Sequence, residues 1–160
     1  ANDDFTAGYF EINQSLLVRK EDAAKYDSLA KLSGRTIGVQ SETTGAAFAQ
    51  ENAKGANIRE FTGADDLFLA LKSKQIDGIV QDFPVNSYNA TTSGETVVTE
   101  VFSSTEKEQY GFVVRKGNTA LLKALDDALE AVRADGTYDT ILEKYLGKGA
   151  STPPSTTTTA

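Results

Sequence analysis

The chain has 160 residues and carries 16 Lys and Arg against 23 Asp and Glu, a net charge of −7, with no His, Cys or Met. That balance argues against a nucleic-acid partner, which needs a surplus of phosphate-neutralising cations. With neither Cys nor His there is no disulfide, thiol nucleophile or His-based triad, and no zinc or iron site, metal or other cofactor is expected.

The length suits one average domain or two small lobes, and 39% hydrophobic content allows a core. No run of about 18 apolar residues is present to span a membrane. Lack of cysteine is compatible with export, since no thiol needs managing. A chain with neither an initiating Met nor a signal peptide is expected to be a processed product or an excised segment.

In chain order, Ala1–Phe10 is polar and mixed. "QSLLVRK" (Gln14–Lys20) predicts a strand, and "EDAAKYDSLAKLSG" a helix that stops at Gly34. An alternation follows. Strand Thr36–Val39 precedes helix Gly45–Ala53, strand Ile58–Phe61 precedes helix Ala64–Ser73, and strand Gly78–Gln81 precedes a helix opening near Pro84. Strands alternating with helices of about 10 residues predict βαβ units and a mostly parallel sheet between helices, an α/β fold. "TIGV" and "GIVQ" have the β-branched content of buried strands. Val97–Phe102 and Gly111–Arg115 predict two more strands, with "EKEQY" before the second as a solvated segment.

Leu122, Leu125, Leu129 and Val132 recur at spacings of three and four between Asn118 and Gly136, one apolar stripe of a capped helix. A second helix places Tyr138, Ile141, Leu142 and Tyr145 on one face and stops at Gly147. "GASTPPSTTTTA" (149–160) holds no apolar residue larger than Ala and is expected to be a disordered tail or a scar. Asn13-Gln14-Ser15 and Asn89-Ala90-Thr91 fit the glycosylation sequon, a pattern common by chance.

Chemistry concentrates in two loops. In an open α/β sheet, ligands bind beyond the carboxyl ends of the strands. Gln40–Thr44 leaves one such end and enters a helix N-terminus, which offers amide donors and partial positive charge, with Ser41, Thr43 and Thr44 adding hydroxyls. The competing explanation is an ordinary turn in which Thr43 or Thr44 caps the helix. Gln81 and Asp82 end another strand. Asp82 either holds an ammonium group or caps the helix near Pro84. An anion site and a cation site at one sheet edge suit a zwitterion. Asp65-Asp66 falls in a first helical turn, where it suits the dipole, and Asp126-Asp127 reads as an exposed face. No carboxylate pair is arranged for acid–base work.

"FEINQSLLVRK", "LSGRTIGVQSETTGAAFA", "LKSKQIDGIVQDFPV", "EQYGFVVRKGN" and "LEAVRADGTYDTILEKYLG", in that order, resemble the polar amino acid-binding proteins of ABC importers, the type II periplasmic or solute-binding proteins of family 3. The resemblance runs from Phe5 to Gly147. It implies an extracytoplasmic binder, not an enzyme, built as two α/β lobes that close on a small-molecule amino acid and deliver it to ABC membrane subunits. It places Gln40, Thr43, Thr44 and Gly45 in the cleft-lining turn beside the ligand carboxylate, Asp82 on the ligand α-amino group, and Gln81 at a variable neighbouring place.

Most of the first lobe, with its ligand-sandwiching aromatics and carboxylate-pairing arginine, has no counterpart here, and "DFTAGYF" departs from the family's "DFSDPYY"-like pattern. The expected organisation is a lobe 1 stub and crossing strand (1–20), the second lobe (21–110), a returning strand with the C-terminal helices of lobe 1 (111–148), and the tail. Without that arginine, whose charge-assisted hydrogen bonds are each worth about 1.5–3 kcal/mol, this half-cleft is expected to bind weakly. The Leu122/Leu125/Leu129/Val132 stripe, lacking its usual cover, is expected to self-associate, to repack or to stay loose. Two other functions fit the fold: a cyclohexadienyl dehydratase-like enzyme, with Asp82 as its acid, and the extracellular sensory domain of a receptor. Neutral Gln40 and Gln81 favour a polar or neutral amino acid.

Overall fold

The computed structural model describes residues 2–102 and 108–147. Its elements are β1 (Asp3–Phe5), β2 (Phe10–Ile12), β3 (Gln14–Arg19), β4 (Thr36–Gln40), α1 (Thr44–Asn52), β5 (Asn57–Phe61), α2 (Ala64–Lys72), β6 (Gly78–Asp82), α3 (Phe83–Ser93), β7 (Thr96–Val101), β8 (Glu108–Tyr110), β9 (Val113–Arg115), α4 (Thr119–Ala134) and α5 (Thr137–Leu146). They fall into two compact units: residues 13–106, and residues 1–12 with 107–160. The expected tail, 149–160, lies outside the described residues.

The larger unit is a five-stranded sheet in the order β5-β4-β6-β3-β7. Its side chains divide by the period of two. Leu16, Val18, Ile37, Val39 and Val80 face α1 and the segment around Tyr26, Leu29 and Leu32. Leu17 and Ile79 face α2, joined there by Ile76. On that second face Gly38 lies under α2. A Cβ at Gly38 would come within 2.5 Å of both Leu67 Cδ1 and Ile76 Cδ1, so a larger residue would force both side chains to shift. The three-layer α/β expectation is met.

The mostly parallel sheet holds for four of its five strands, β3 being the reversed one. β4 runs parallel to β5 and β6, but β3 runs antiparallel to both β6 and β7. The start of β3 therefore meets the end of β6, with Gln14 opposite Asp82. The expected helix over 21–34 is also absent. Two 3₁₀ turns, Lys20–Asp22 and Leu29–Leu32, take its place. Buried Tyr26, Leu29 and Leu32 recur every three residues, the 3₁₀ period. Long-range bonds hold the segment, with Glu100 accepting from the Leu29 N–H at 2.6 Å and Tyr26 O from Thr99 Oγ1 at 3.0 Å.

In the smaller unit β1 pairs with β9 and β2 with β8, both antiparallel. Of the expected strand 111–115 only Val113–Arg115 (β9) is a strand, and "EQY", expected to be a solvated segment, is the separate strand β8. The break at Gly111–Phe112 comes from Thr6, whose N–H donates to Phe112 O and whose Oγ1 accepts from the Phe112 N–H. Asn118 caps α4 by accepting from the Leu121 N–H. The α4 stripe is half-buried, and no residue of α4 is fully buried. On α5 only Leu142 of the expected face is buried, while Ile141 and Tyr145 are 49% and 46% exposed. Asp126, read as exposed face, is half-buried and accepts from the Ala7 N–H at 2.9 Å.

Asp135 ends α4, and its carboxylate accepts from the Thr137 N–H at 2.8 Å. Hydrogen bonding by Thr137 holds this carboxyl below its ordinary value of 3.8. A depressed folded-state pKa gives stability that is present above the unfolded value and lost as pH falls through the folded one. The Thr137 amide resonance is therefore expected to move as pH falls, with a midpoint below the ordinary 3.8. A midpoint at or above the ordinary value would show that the bond does not form in solution.

Candidate functional site

Gln40 closes β4, and Ser41 and Glu42 turn the chain, Glu42 at φ 60°. A non-glycine residue in that region is uncommon and marks a constrained turn. Thr43 is the N-cap of α1. Its Oγ1 donates to Gln40 O at 2.8 Å and accepts from the Ala46 N–H at 3.1 Å. The capping role is therefore realised at Thr43, whose hydroxyl shapes the turn. Thr44 and Gly45 are the first two residues of the helix, where N–H groups have no intrahelical acceptor. A Cβ at Gly45 would sit 2.8 Å from Gln14 Oε1 and 3.3 Å from Val80 O, so glycine lets the helix start lie against β6.

Gln81 and Asp82 end β6. Asp82 stands at the N-cap of α3, yet its side chain makes no capping bond, and Pro84 lies in the first turn. The Asp82 carboxylate instead accepts from Gln14 Nε2 at 2.7 Å. The same nitrogen donates to Thr44 Oγ1 at 3.2 Å. Gln81 Nε2 reaches Gln40 Oε1 at 3.4 Å, so the two neutral glutamines meet. Behind them, buried Asn86 donates to Ser15 Oγ at 3.0 Å and Ser15 O at 3.2 Å, and Ser15 Oγ donates to Gln81 O at 3.1 Å. This network fixes the end of β6.

All six residues singled out from the sequence (Gln40, Thr43, Thr44, Gly45, Gln81 and Asp82) thus stand at one sheet edge of the larger unit. Sequence reasoning missed Gln14 and the Ser15–Asn86 support. Gln14 and Gln81 are each 8% exposed, and their Oε1 atoms are buried without a hydrogen-bond partner among the described residues. Chemically, the edge sets hydroxyl and amide donors beside a single carboxylate, with neutral amides at its margin. Among the described residues no group of three His, Cys, Asp or Glu is placed to hold a metal, and no helix is long and apolar enough to cross a membrane.

The family model for bacterial extracellular solute-binding proteins, family 3, matches residues 2–148. The chain is 34% identical to an ABC transporter glutamine-binding protein of Bacillus subtilis (strain 168), over 89% of this chain and 51% of that one. It is 32% identical to ABC transporter arginine-binding protein 1 of Escherichia coli (strain K12), over 89% of this chain and 58% of that one. Among solved structures, an ancestral amino acid-binding protein described as a precursor of cyclohexadienyl dehydratase shares 33% identity at a TM-score of 0.71, over 91% of this chain and 62% of that one. The chain thus spans about half the length of the curated relatives it matches.

Proposed function

The chain belongs to the bacterial extracellular solute-binding proteins, family 3, and we propose that it supplies one half of an amino-acid-binding cleft serving an ABC importer. The observation that carries this is the meeting of the β4–α1 turn and the end of β6 at one edge, donors beside a carboxylate. Thr44 Oγ1 and the first-turn amides of α1 take the ligand carboxylate, as a helix N-terminus favours an anion. Asp82 takes the α-ammonium group. A carboxylate has about four lone-pair sites, so the bond from Gln14 does not exhaust it. Thr43 shapes the turn. Gln40 and Gln81 face the ligand side chain and, being neutral, favour a polar or neutral one.

The site works by binding, not turnover. The relative on the dehydratase lineage is itself described as an amino acid-binding protein, and no turnover of prephenate or arogenate is expected. We place the protein outside the cytoplasm, in the periplasm or at a Gram-positive surface, delivering its ligand to ABC membrane subunits. Self-association through the half-buried α4 stripe is expected to appear as a concentration-dependent mass in light scattering. A constant monomer mass with fully protected α4 amides would exclude it.

The deciding experiment is an NMR titration of this chain with a panel of standard amino acids. Weak, saturable shifts confined to residues 40–45 and 81–82 are expected. Shifts elsewhere, or none with any amino acid, would sink the proposal. Micromolar affinity would mean that the half-cleft is sufficient by itself.

A further inference from the structure

Gln14 sits at the first position of β3, and because that strand runs antiparallel to β6 its side chain arrives at the edge where β4 and β6 end. It is almost wholly buried, and both hydrogens of one NH₂ group are committed, one to Asp82 and one to Thr44. The amide can lie only one way round. Turned over, it would set its oxygen against the Asp82 carboxylate, two acceptors with no proton between them. Its backbone is held as well, since Gln14 O accepts from the Phe102 N–H at 2.8 Å. Gly45 makes room for it, since a Cβ at 45 would come within 2.8 Å of Oε1.

We infer that Gln14 is a positioning residue: its side-chain amide ties Asp82 to Thr44 and so fixes the spacing at which the two loops grip the two ends of a zwitterion. This rests on the binding function proposed above. Both ligand-facing groups lie within 3.2 Å of one nitrogen, so neither can swing away without breaking a bond to the same buried atom. A site ordered before the ligand arrives loses less side-chain freedom on binding. The donor also aims the Asp82 carboxylate, whereas an apolar residue of equal length fills the space without aiming anything.

The test has two parts on the full chain. Without ligand, the Gln14 side-chain NH₂ protons are expected to be inequivalent and slowly exchanging, one moved by Asp82→Asn and the other by Thr44→Val. Then wild type and Gln14→Met, with Gln14→Leu as a second variant, are titrated with an α-amino acid and with its α-hydroxy analogue, which lacks the ammonium group. We expect the variant to bind the amino acid on the order of tenfold more weakly. The analogue should lose distinctly less, and the melting temperature should fall by no more than about 4 °C.

Equal losses for both ligands, or none, overturn the inference, as do rapidly exchanging Gln14 protons in a chain that binds. A wild-type chain that binds neither ligand while the Gln14 signals are intact overturns the binding function, and the inference with it. If neither variant folds, the ligand-free signals of the wild type still decide whether the bridge exists.

Discussion

Asp82→Asn is expected to weaken binding of an α-amino acid by roughly tenfold to a hundredfold, the equivalent of one charge-assisted hydrogen bond of about 1.5–3 kcal/mol. Asparagine keeps the shape and one acceptor oxygen but removes the charge that an ammonium group needs. The loss should fall on binding and not on folding. The Asp82 side chain makes no capping bond to α3, so that helix does not depend on it. Ser15 and Asn86 hold the end of β6 independently of the carboxylate. Titrating the α-hydroxy analogue beside the amino acid separates the possibilities. If Asp82 meets the ammonium group, the substitution narrows the difference between the two ligands. If both weaken in parallel with the melting temperature, Asp82 is a structural residue and the site is elsewhere.

What the sequence made legible was what is local. The alternation of strands such as "TIGV" and "GIVQ" with helical stretches of about ten residues placed β4, α1, α2 and β6, and the hydroxyls of "SETTG" marked the start of α1. Asp82 stood out because it ends a strand and precedes Pro84. Strand direction is not local. Taking the sheet as mostly parallel counts only strand C-termini at the ligand edge, and so Gln14, the first residue of β3, was passed over. The 21–34 segment failed for a similar reason. Its Ala and Lys content suits a helix, but contacts to Glu100 and Thr99, far along the chain, select 3₁₀ turns. The break at 111–112, between β8 and β9, is set by Thr6, more than a hundred residues away.

The opposite end of β3 carries the largest expected effect on stability. Arg19 is 9% exposed. Its Nη1 donates to Leu71 O at 2.8 Å and Ile76 O at 2.7 Å, and its Nε and Nη2 both lie 2.6 Å from Asp22 Oδ2. Leu71 is in the last turn of α2, and its carbonyl also accepts from the Lys74 N–H at 3.1 Å, so the guanidinium ties a helix end, the following turn and the sheet together. Arg19→Met would leave a buried carbonyl pair and a partly buried carboxylate without that donor. Breaking a buried ion pair from one side typically costs about 3–5 kcal/mol, a large share of the about 5–15 kcal/mol that stabilises a domain. Arg19→Lys should recover only part of it, because an ammonium group cannot reproduce the planar fork.

Urea unfolding should show the midpoint falling with an unchanged slope, and a loss below about 1 kcal/mol would reduce Arg19 to an ordinary surface-type pair. The two ends of β3, about 17 Å apart at 3.3 Å per residue, also make separable predictions. Held well below its melting temperature, Arg19→Met should bind ligand as the wild type does, because Gln14 and Asp82 belong to the other end of the strand. A parallel loss of affinity would mean that the sheet transmits strain along β3, and that the binding edge is less independent of its scaffold than its hydrogen bonds imply.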